Sequence, residues 1–232
     1  MFKKILEVGK KNDVASTGAE VLSGIFLDGA LGQIAPGITA LRASYKQRQH
    51  EERTEIIFSA IFQEIDYLFE QFNNLKADQQ EFVDNIAFPL MLENAIEETE
   101  KAKIEYIFNA FKNIVTKGIT EEDLIIGYYD VLKGLRLNEI NRLIQLTPEY
   151  RKEHFSSGKT ITLNVDLSEK GKERREFTNY MDSKLEQYGL LHGDIIVNGP
   201  GHTQPFDNSP VTPFAVNFLN FIKQSTKTTK SV

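Results

Sequence analysis

The chain has 232 residues, enough for one large or two small domains with a substantial core, and its 41% apolar and 26% charged residues are those of an ordinary globular protein. A net charge of −6 argues against nonspecific nucleic-acid binding, which needs Lys and Arg to neutralise phosphates. The absence of cysteine excludes disulfides, thiolate zinc sites and Cys nucleophiles, and fits a cytosolic protein.

In chain order, "MFKKILEVGKKND" begins like a signal peptide, but Glu7 and Lys10 interrupt the apolar run and no secretory core forms. Residues 1–19 read as short, mixed and loosely fixed. Next comes "EVLSGIFLDGALGQIAPGITALRA" (20–43), the most apolar and glycine-rich stretch. Its candidate membrane- or partner-binding residues are Leu22, Gly24, Ile25, Phe26, Leu27, Gly29, Leu31 and Ile34. Apolar residues point all round a helix here, which disfavours a surface-lying amphipathic anchor. Seven good residues give about 2 to 4 kcal/mol on an insertion scale, and Asp28 alone costs about 3. A permanent span is therefore disfavoured. Conditional insertion as an oligomer remains open, since the glycines allow close helix contacts.

From Thr39 a helical pattern continues for some thirty-five residues, with Ile57, Ile61, Ile65, Leu68, Phe72 and Leu75 on one face. Its charged start, "RASYKQRQHEERTE", is expected to project into solvent or a partner. Phe58, Phe62 and Phe69 lie beside the stripe and suggest a second buried face, consistent with a homo-oligomer. A second helix begins near Asp78, with Pro89 inside it or at a junction. The third, "ETEKAKIEYIFNAFKNIVTKG", carries Ile104, Ile107, Phe108, Phe111, Ile114 and Val115 in register and stops at Gly118. Lys112 and Lys117 suit the dipole of its last turns. "EEDLIIGYYDVLKGL" follows and ends near Gly134, and "EINRLIQL" is capped by Asn138 and stopped by Thr147-Pro148.

The last third changes character. "KTITLNVDLSEKG" alternates with a period of two and reads as a strand. "KERREFTNYMDSKLEQYGLL" reads as a helix with Phe177, Tyr180, Met181, Leu185 and Tyr188 inward. "DIIV" and "SPVT" flank a Gly- and Pro-rich loop and suggest a small hairpin. "PFAVNFLNFI" is a closing helix with Pro213 in its first turn. The expected fold is mainly α: a glycine-rich N-terminal segment (1–38), a helical bundle (39–135), a winged-helix-like module with a small β-hairpin (136–224) and a disordered tail (225–232).

Catalytic motifs are missing from this plan. His50, His154, His192 and His202 are not spaced for a helical metal site. "NGPGH" (198–202) has glycines but neither the lysine nor the strand–loop–helix context of a phosphate loop. The acidic pairs fall at helix starts, where they offset the macrodipole. No catalytic, metal or cofactor residues are assigned, and an enzyme is the least favoured class. On the helix that a winged-helix protein inserts into DNA, Arg174, Arg175 and Lys184 are candidate phosphate contacts, diluted by Glu173, Glu176, Asp182 and Glu186. A packing module is the favoured reading of that helix.

A glycine-rich segment leads into "PGITALRASYKQRQHEERTEIIFSAI", "EYIFNAFKNIV" follows, and "LEQYGLL", a hairpin and "VTPFAVNFLNFI" end the chain. This succession resembles the abortive-infection alpha group of helical, phage-defence-associated bacterial proteins, over about residues 20–223. Its specific part is Thr212-Pro213-Phe214; "KIEYIFNAFKN" departs from the usual third helix. The resemblance implies a non-enzymatic role in phage–host conflict. The protein would act through a phage or host protein partner, through itself as a homo-oligomer, or through conditional membrane association of a cytoplasmic chain. A winged-helix transcriptional regulator and a structural or scaffold phage component are the rivals.

Overall fold

A computed structural model describes residues 1–11, 40–155, 168–192 and 210–224, with the side chains of 8–11, 40–48, 51 and 155 left aside. The glycine-rich segment with its eight candidate residues, the 161–167 strand, the hairpin tip and the tail all lie outside the described residues. The described part is mainly helical and divides into two units, Met1–Tyr129 with Ile222–Val232, and Asp130–Phe221.

Unit 1 contains α1 (Phe2–Lys11), α2 (Ala40–Gln63), α3 (Ile65–Asn74), α4 (Ala77–Phe82), a π-helical turn (Val83–Ala87), α5 (Phe88–Glu97) and α6 (Lys103–Lys117). α7 (Glu122–Gly134) carries the boundary between the units. The loosely fixed start expected from sequence is instead a helix. Phe2, Ile5 and Leu6 are buried, at the i, i+3, i+4 spacing of one helix face. The Phe2 ring meets Phe72, Phe88 and Phe111 at centroid distances of 5.6, 5.0 and 4.9 Å, edge-on to the first and last. Such pairs add about 0.5–1.5 kcal/mol each beyond their area. Asp84 fixes the entry of α1 by accepting from the Met1 ammonium at 2.6 Å and the Lys3 N–H at 3.0 Å.

Asp84 lies in the π turn, which also explains Pro89. The widened turn ends at Ala87, two residues before it, so the missing proline N–H falls in the first turn of α5. The third expected helix, α6, begins at Lys103 rather than near Glu98, and it stops at Gly118 as expected, where φ is +63°. It is not amphipathic in its surroundings. Every residue from Ile107 to Val115 is buried, Asn109, Lys112 and Asn113 included, because α2, α3 and α5 all pack against it.

Two further expectations change in unit 1. The thirty-five-residue helix is broken at Glu64, whose φ of −116° and ψ of 19° leave the helical region. The charged start of α2 is not free throughout. Arg53 is buried and donates to the Ile96 carbonyl at 2.8 Å and to Gln49 at 3.1 Å, capping the C-terminus of α5.

Unit 2 holds the end of α7, then α8 (Leu137–Leu146), α9 (Pro148–Phe155), α10 (Glu169–Gln187) and most of α11 (Pro213–Ile222). α8 starts one residue before the expected Asn138 cap. Glu139 reaches back to accept the Arg136 N–H at 2.8 Å and takes over that role. Thr147-Pro148 ends α8 as expected but also starts α9, because proline suits a first helical position. The winged-helix plan has little β structure behind it. Among the described residues no strand forms, and the single antiparallel bridge is Leu191 with Val211.

Candidate functional site

Three carboxylate–ammonium pairs account for most of the charge the fold buries. Both oxygens of Glu64 lie 2.7 Å from the Lys112 Nζ; Oε1 takes the hydrogen bond, while Oε2 is buried with only the charge to satisfy it. Lys112 is 3% exposed and also sits 5.8 Å from the centre of the Phe108 ring. Its sequence role as a partner of the helix dipole is therefore taken over by a specific carboxylate. Lys103 pairs with Glu98 at 2.6 Å, and Glu98 also accepts the Glu100 N–H at 2.8 Å, which fixes the turn between α5 and α6. In unit 2, Lys184 pairs with Glu139 at 2.7 Å, and Arg142 forms a two-pronged contact with Asp182 at 2.7 and 2.8 Å. The two pairs of unit 2 join α8 to α10, and Lys112 joins α6 to the break between α2 and α3. Tyr129, fully buried, is pushed far above the usual phenol range by desolvation and donates to the Ile107 carbonyl. Among the described residues no group of His, Asp or Glu has the geometry of a metal site.

The surface feature that stands apart is α10. Ser168 caps it by accepting the Gly171 N–H at 3.1 Å. Its packed side is Gly171 and Leu185, flanked by the half-buried Thr178, Met181 and Asp182. Phe177 and Tyr180, expected inward, are 53% and 59% exposed, with ring centroids 6.2 Å apart and planes within 22°. The reason is rotational. At about 100° per residue, Tyr180 falls roughly opposite Gly171, Thr178 and Leu185 and Phe177 about a quarter turn or more from them, so neither ring points along the side that packs against α8.

Arg174 and Arg175 are exposed on this helix, but they diverge by one residue step of about 100°. Lys184 lies about half a turn round from Arg175 and is held by Glu139. The structure does not bring the three cations onto one face.

The Thr212-Pro213-Phe214 motif is a helix-starting device. The Thr212 hydroxyl accepts the Ala215 N–H at 3.1 Å and donates to the Gly189 carbonyl at 2.7 Å. Its own N–H donates to Leu190 at 3.1 Å. Pro213 occupies the first helical position. The motif thus fastens α11 to the end of α10, where Gly189 takes a φ of +69°.

No known protein family, curated protein or solved structure matches the chain. Sequence reasoning missed the outward ridge on α10. The signal was present: Phe177 and Tyr180 have Glu173, Glu176 and Arg174 within one turn, whereas Leu185 shares its side with Gly171 and Thr178.

Proposed function

We propose that the protein is a non-enzymatic binding protein of phage–host conflict, with the outer face of α10 as a contact surface. The observation that carries this is the Phe177–Tyr180 pair, two large aromatic side chains of α10 that are stacked on each other and more than half exposed. Aromatic residues of this kind supply most of the affinity at protein interfaces. The non-enzymatic part is supported by the use of the buried charge, since Glu64, Glu98 and Glu139 are each matched to a lysine in a structural pair. The phage setting rests on the resemblance in order of elements. Expression in bacteria challenged with a phage panel tests it, with Phe177→Ala/Tyr180→Ala beside the parent chain. Protection or toxicity that disappears in the variant, at equal protein level, supports the reading; an unchanged phenotype removes α10 from it.

The glycine-rich segment supplies a second arm, conditional membrane association. It rests on sequence, and no described helix is long and apolar enough to cross a membrane. Liposome leakage with Gly24→Glu and Leu31→Glu tests that arm, and equal leakage by parent and variants ends it.

A further inference from the structure

We draw no further inference here: the strongest candidate, the exposed Phe177–Tyr180 patch of α10, belongs to the contact surface already described, and nothing among the described residues shows what covers it.

Discussion

Glu64 and Lys112 offer the most demanding test of how unit 1 is held together. The two residues are distant in sequence, yet Lys112 is 3% exposed and both Glu64 oxygens lie 2.7 Å from its ammonium. Lys112→Met keeps most of the side-chain volume and removes the charge, leaving Glu64 with a buried oxygen and no cation. Removing one partner of a buried pair costs about 3–5 kcal/mol. The Glu64 side chain retains 21% exposure, so the low end, about 3 kcal/mol, is the better expectation. Loss of the contact with Phe108 adds about 0.5 kcal/mol. For a protein of this length, that corresponds to a fall of roughly 7–14 °C in melting temperature. Glu64→Leu strands the more deeply buried ammonium and should cost at least as much. Combining the two replaces the pair by apolar groups, which is often neutral. The double variant should therefore lie within about 1.5 kcal/mol of the parent, giving a coupling energy of about 4.5 kcal/mol or more in a double-mutant cycle. Urea unfolding followed by far-ultraviolet circular dichroism measures all four corners. Additive single costs, or a Lys112→Met cost below about 1 kcal/mol, would show that the pair does not set the break between α2 and α3.

Other perturbations address the remaining contacts. On α7, a Cβ at Gly127 meets nothing within 4 Å, whereas one at Gly134 would lie 2.0 Å from the Tyr188 hydroxyl. Gly127→Ala should stabilise by about 0.5–1 kcal/mol in chemical denaturation, and Gly134→Ala should destabilise unless Tyr188→Ala is also present. Equal effects at the two sites would contradict the packing described for Tyr188. Phe2→Ala should cost about 3–5 kcal/mol in the same assay, because the ring is fully buried among three others; a loss below about 1 kcal/mol would mean that α1 is not part of the core. Burial of Asp84 opposes its ionisation. This is outweighed by the hydrogen bond and charge of the Met1 ammonium and by the N–H groups of Lys3 and Phe2, so its pKa lies below the ordinary value. Its stabilising contribution is complete above the unfolded value of about 3.9 and is lost as pH falls through the lower folded value. The stability difference between the parent and Asp84→Asn should shrink as the pH is lowered through that window, and a constant difference would contradict the assignment.

Much of the helical plan was legible because it is written locally. The body of α6 follows from its apolar period, its end from Gly118, and the start of α11 from Thr212 and Pro213. What escaped depends on residues far away in sequence. No proline or glycine announces the break at Glu64; its partner lies on α6, and only packing brings the two together. The helix at Phe2 was readable from the spacing of Phe2, Ile5 and Leu6, but its burial depends on a nest built from α3, α5 and α6. On α10, aromatic residues at helical spacing suggested an inward face. The helix instead packs through Gly171 and Leu185, small and aliphatic, and leaves the aromatics outside. Period alone identifies a stripe; which of two stripes is covered depends on the shape of the helix it meets.

Because the chain contains no tryptophan, Tyr180→Trp places a single reporter on the ridge of α10. Its fluorescence, with acrylamide quenching, should show a solvated indole in dilute protein. A blue-shifted emission that resists quenching in the isolated protein would contradict the claim that this side of α10 is an open contact surface.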